Sequence, residues 1–170
     1  FSHKQVDQYP ARISNISFSP TSPFDVAIST ATRVHIYNTE TLAVHKTISR
    51  FANTVLCSCI RDDNQVLAAG SAEGLVQLFY TGSRTVLRHF REHQAAVRDV
   101  NFFSSGTQLL TCGEDRTIKQ YDIATEQLVH NITCHSDTVV KAMPSSLSED
   151  IIVSASYDHS ICFTDLRVPN

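Results

Sequence analysis

Two sets of residues in this 170-residue chain have the makings of a catalytic triad. His93, Thr111 and Asp115, followed by Tyr121, recur as His135, Ser154 and Asp158. A hydroxyl, an imidazole and a carboxylate gathered in one place can perform acyl transfer: the imidazole takes the hydroxyl proton, and the carboxylate fixes the imidazole tautomer. Two features of the sequence argue against that chemistry. The set appears once per repeating unit rather than once per chain, and each hydroxyl falls in an apolar, strand-like run with no oxyanion-hole glycine motif beside it. The same residues serve equally as a buried hydrogen-bonded brace, satisfying polar groups that each cost on the order of 1–3 kcal/mol when left unpaired away from water. The expectation is a structural brace and no catalytic residue.

Other chemistry is thinly represented. His89, His93, His130 and His135 lack the close pairing with Cys or acidic residues that metal ligation requires, so no metal site is expected. Gly70 and Gly74 flank a strand turn instead of opening a helix, which leaves no phosphate-cradling loop, no cofactor and no small-molecule substrate. The five cysteines, Cys57, Cys59, Cys112, Cys134 and Cys162, form no CxxC pair and sit in apolar runs, as buried reduced thiols do. A net charge of −3 gives no global positive field for nucleic acid, and no apolar run approaches the roughly 18 residues of a membrane-spanning helix. Arg84, Arg88, His89, Arg91 and Arg98 are the one local basic concentration. They read either as a solvated face that blunts a sheet edge or as a contact to RNA phosphates or an acidic partner.

What positions these residues is a repeat. Ile13, Val55, Val97 and Val139 fall 42 residues apart, and Tyr37, Phe79 and Tyr121 keep the same step. Thr164 follows after 43, which places a one-residue insertion within Met143 to Asp150. Each unit divides into four short segments rich in β-branched and aromatic residues and separated by turn residues, with no sustained helical period. The class is therefore all-β. Repeats of about 40–45 residues with four strands are the signature of propeller blades. The units give blades at about 13–48, 55–90 and 97–132, with a partial fourth at 139–166. Residues 4–8 read as the outer strand of a preceding or closing blade. The chain either shuts as four blades or forms part of a larger ring. The brace is complete only in blades three and four; blade two carries Phe51, Ala69, Glu73 and Phe79 at its positions, and blade one Tyr9, Ala27, Ala31 and Tyr37.

These features resemble the WD-repeat β-propeller family, although its characteristic Trp is absent. Within that family the chain is similar to the fifteenth-protein family of the Utp series, through Val76-Gln77-Leu78-Phe79, Leu87-Arg88-His89-Phe90, His135-Ser136-Asp137, Ser156-Tyr157-Asp158-His159 and Asp165-Leu166-Arg167. The resemblance implies a non-enzymatic scaffold of the small-subunit processome in the nucleolus of the nucleus. It would support pre-rRNA transcription and processing through other processome proteins, further WD-repeat subunits among them, with pre-rRNA contact open and no membrane partner. The alternative is a WD-repeat adaptor that binds peptide segments in another intracellular complex.

Overall fold

A short meander of strands cannot bury both faces of its own sheet, so a 42-residue repeat of such meanders has to stack face to face. A computed structural model describes residues 6–168 and shows that stack. The first sheet is β1 (Ile13–Phe18), β2 (Val26–Thr30), β3 (Arg33–Asn38) and β4 (Ala43–Ile48). The second is β5 (Val55–Ile60), β6 (Val66–Ser71), β7 (Val76–Tyr80) and β8 (Thr85–Phe90). The third is β9 (Val97–Phe102), β10 (Gln108–Gly113), β11 (Ile118–Asp122) and β12 (Leu128–Ile132). Among the described residues the fourth has three strands, β13 (Val139–Pro144), β14 (Ile151–Ser156) and β15 (Ile161–Asp165). Every sheet is antiparallel and its strands pair in chain order. Of the segment at 4–8, residues 4 and 5 lie outside the described residues and residues 6–8 carry no strand.

The repeat extends to the backbone. Left-handed conformations recur at Leu42, Arg84 and Glu126 in the turn before each outer strand, at Asn64 and Gly106 after the first strand, and at Gly74, Arg116 and His159 between the second and third. The extra residue of the fourth unit lies in the connection 145–150, one residue longer than 103–107.

The core lies between the sheets. Val34, Ile36 and Ile48 meet Phe51, Val55 and Phe79 between the first and second. Val76, Leu78 and Phe90 meet Val97, Val100 and Tyr121 between the second and third. Leu110, Ile118 and Ile132 meet Val139, Ala142 and Ile152 between the third and fourth. A charged contact crosses this last interface: the buried Asp99 carboxylate accepts hydrogen bonds from Lys141 Nζ (3.1 Å), Asn101 Nδ2 (2.7 Å) and the Ala142 amide (3.3 Å). Burial pushes the Asp99 carboxyl above its ordinary range, against the pull of Lys141.

The two outermost faces stay uncovered. Ile36, Leu78 and Gln120 are at most 3% exposed, whereas Phe163 at the matching position is 74% exposed. On the opposite end, Ile16 is 56% exposed where Ser58, Val100 and Ala142 are buried. The first and fourth sheets therefore do not close on each other among the described residues.

Candidate functional site

The third sheet builds its brace from three connected pieces. His93 sits in the loop before β9, Thr111 on β10, and Asp115 in the β10–β11 turn. The carboxylate can only accept, so the His93 Nδ1–H donates to Asp115 Oδ2 at 2.8 Å, and the Thr111 hydroxyl donates to Nε2 at 2.7 Å. Asp115 is held in turn by the Gln94 amide (3.0 Å) and by the Thr117 amide and hydroxyl (3.2 and 2.8 Å). The fourth sheet repeats the pattern: His135 Nδ1 to Asp158 at 3.0 Å and Nε2 to Ser154 Oγ at 2.8 Å, with the Ser136 and Ser160 amides on the same carboxylate. Tyr121 packs against Phe90 with ring centroids 4.5 Å apart. Its hydroxyl is buried without a hydrogen-bond partner in the described structure, and burial pushes its pKa up.

The first two sheets reach the same end by packing. Phe51 and Phe79 lie with centroids 4.9 Å apart in the second. In the first, Tyr9 stacks near His35 and its hydroxyl bonds that of Tyr37, which also donates to Asp7 at 2.9 Å.

Thr111 and Ser154 are at most 2% exposed, and the side chains of His93 and His135 have no exposed surface. A hydroxyl sealed in this way meets no substrate, so the arrangement has the geometry of a triad without its access. Among the described residues, no group of three or more His, Cys, Asp or Glu side chains is gathered closely enough to hold a metal ion. All five cysteines are free; Cys57 and Cys112 are buried, but Cys134 is exposed because it lies in a loop rather than on a strand.

The brace carries a pH signature. Burial acts to raise the Asp115 pKa, but hydrogen bonds from His93, Thr117 and the Gln94 amide outweigh it and hold the carboxyl well below the usual range. The Ser160 hydroxyl, with the Ser136 and Ser160 amides and His135, does the same for Asp158. A carboxyl whose folded pKa is depressed contributes stability that is present above its unfolded value, near 4, and is lost as pH falls toward the folded value. Melting temperature, followed by circular dichroism, is therefore expected to fall steadily from about pH 4 downward. An Asp115→Asn, Asp158→Asn double variant is expected to melt lower at pH 7 and to lose most of that acid slope. An unchanged slope in the double variant would remove these carboxylates as the cause.

The structure disperses the basic stretch. Arg84 occupies the β7–β8 turn and Arg91 follows β8, so they stand at opposite ends of a six-residue strand, roughly 20 Å apart. Arg88 is engaged within the fold, with Nε 2.9 Å from Glu126 and 3.2 Å from the Ile123 carbonyl. His89 points to the opposite face of β8 from Arg88 and is exposed. Arg98 lies on the inner strand β9, 3.5 Å from Glu114.

Sequence reasoning misses the Asp99–Lys141 contact, although its partners stand 42 residues apart and share a repeat column. It also misses the contacts that tie successive sheets at one rim. There Arg61 donates to the Gly106 carbonyl, Asn64 to Thr21 and Ser22, and Ser104 to Glu149.

Comparison with known proteins agrees with the repeat. The family model described as WD domain, G-beta repeat matches residues 84–122 and 126–165. The U3 small nucleolar RNA-associated protein 15 homolog of Xenopus laevis is 35% identical over 163 residues, covering 96% of this chain and 32% of that protein. The homolog of Gallus gallus is 36% identical over 163 residues, covering 96% and 31%. U3 small nucleolar RNA-associated protein 15 of Saccharomyces cerevisiae is 31% identical over 160 residues, covering 91% and 31%. The chain thus spans about a third of the length of the curated relatives it matches.

Proposed function

The chain belongs to the WD-repeat family, and from that membership we propose that it is a non-enzymatic scaffold of the nucleolar small-subunit processome. In this role it supports pre-rRNA transcription and processing toward the small ribosomal subunit through contacts with other processome proteins, further WD-repeat subunits among them. The observation that carries the reading is similarity over 96% of the chain to proteins named for their association with U3 small nucleolar RNA. The sealed hydroxyls of Thr111 and Ser154 support the non-enzymatic part of it. The uncovered apolar faces at Ile16 and Phe163 support the further reading that these blades are part of a larger ring, because large exposed apolar surface is normally covered by a neighbour. Affinity purification of the full-length protein tests the assignment. Co-purification of U3 RNA and nucleolar processing factors is expected, and recovery of a complex lacking both would sink it.

A direct pre-rRNA contact through the basic stretch is testable separately. Among the described residues the Arg84 and Arg91 side chains have no ion-pair partner, so Arg84→Glu with Arg91→Glu is expected to leave stability within about 0.5 kcal/mol of the parent. If they touch RNA, the double variant weakens binding and flattens its salt dependence by about two counterions. Identical salt slopes for parent and variant would return both arginines to the solvated surface.

A further inference from the structure

Two thiols that lie far apart in the chain meet beside the brace of the fourth sheet. Cys134 sits in the loop between β12 and β13, next to His135, and is exposed; Cys162 lies on β15 and is half-buried. Both flank Ser154. The Cys134 Sγ stands 4.0 Å from the Ser154 Oγ, and Cys162 is the direct cross-strand partner of Ser154, so its side chain emerges on the same face of the sheet. The Cys134 thiol is also in hydrogen-bond contact with that of Cys162. The two line one cleft of about 380 Å³, wide enough to admit a small molecule.

No other repeat unit carries such a pair. The matching positions hold Gln8 and His35 in the first unit, Arg50 and Gln77 in the second, and Glu92 and Lys119 in the third. Cys57 and Cys112 are sealed in the core, away from any oxidant. Burial, followed by the contact with Cys162, raises the Cys134 thiol to about 11. Little thiolate therefore exists at neutral pH, and what sets the pair apart is nearness and access rather than thiol reactivity.

We infer that Cys134 and Cys162 are an oxidative-modification site, at which exchange with a small-molecule disulfide such as glutathione disulfide joins them and clamps the His135 loop to β15. The Cys134 thiolate attacks one sulfur of glutathione disulfide, forming a mixed disulfide and releasing one glutathione. Cys162 then attacks the Cys134 sulfur, makes the Sγ–Sγ bond and releases the second glutathione. Two protein thiols are oxidised, one glutathione disulfide is reduced, and the two cysteine protons pass to the departing thiolates. A disulfide requires Cβ atoms about 4 Å apart, and a partner carried on a loop can make the short approach that thiols already in contact still need. The bond closes a ring of chain around β13 and β14, which restricts the opened form of the sheet whose outer face is uncovered. Where thiols are kept reduced, such a bond is transient and forms under oxidative load. The inference does not depend on which complex the chain serves.

The test equilibrates the full-length protein in glutathione buffers of rising disulfide fraction, blocks remaining thiols with a maleimide and maps the bonds by mass spectrometry. Tryptic cleavage after Lys119, Lys141 and Arg167 puts Cys134 and Cys162 on separate peptides with one cysteine each. A dithiothreitol-reversible cross-link between these two peptides is expected, with Cys57 and Cys112 still free. Hydrogen exchange across β13–β15 is expected to slow by about tenfold or more on oxidation of the parent and to stay unchanged in Cys134→Ser and Cys162→Ser. Both thiols remaining free, Cys134 bridged only to glutathione or to another cysteine, or a Cys134–Cys162 bond that leaves exchange across β13–β15 unchanged would each overturn the inference.

Discussion

Replacement of His93 by alanine is expected to destabilise the protein by about 3 kcal/mol, a drop of roughly 10 °C in melting temperature for a chain of this size. The imidazole has no exposed surface and makes two short hydrogen bonds, to Asp115 at 2.8 Å and Thr111 at 2.7 Å. Its removal leaves the fully buried Thr111 hydroxyl with the long, 3.4 Å contact to the Lys119 carbonyl in place of its short bond, and opens a void where the imidazole stood. Asp115 keeps its Gln94 and Thr117 donors, which limits the loss. His135→Ala breaks an equivalent set but in the sheet whose outer face is uncovered, so its cost is expected mainly as local opening. Urea denaturation should therefore show a large midpoint shift for His93→Ala. For His135→Ala, hydrogen exchange should speed across β13–β15 with a smaller global change. A His93→Ala midpoint within about 0.5 kcal/mol of the parent would contradict a structural brace.

The contrast between these histidines shows what a linear sequence can and cannot convey. Side-chain types repeat at 42, so the columns of Val55, Val97 and Val139, and the pairing of His with Asp and a hydroxyl, are legible in the chain itself. Backbone register is not. A bulge at Arg98 changes which way a side chain points without changing which residue is there, and so nearness in the chain groups Arg98 with Arg84 and Arg91. The length of β8 separates Arg84 from Arg91, and Arg98 stands on a different strand, β9. The Asp99–Lys141 contact is hidden for a related reason: opposite charges in one repeat column touch only if adjacent sheets stack with those strands innermost, which residue order does not supply. Leu87 and Val129, apolar yet exposed, follow the same logic, since each is the extra residue of a bulge on an outer strand.

A glycine ties the stack to the brace. Gly74 lies in the β6–β7 turn with φ at 79°, and a Cβ there would stand 2.5 Å from the His93 carbonyl oxygen and 2.9 Å from that of Ala95. Conformation alone does not demand glycine, because Arg116 and His159 hold the matching turn positions with φ of 64° and 67°. The demand comes from the neighbouring sheet's loop, which approaches the turn so closely that an added methyl must displace backbone rather than a yielding side chain. Gly74→Ala is therefore expected to cost about 2–4 kcal/mol, part from left-handed strain and most from overpacking. Because the displaced segment carries His93, the two sites share one loss: once His93→Ala has broken the brace, adding Gly74→Ala should cost about 1 kcal/mol less than it does alone. A double-mutant cycle by urea denaturation measures that coupling. Strict additivity of the two losses would mean that the turn supports the loop without positioning the imidazole.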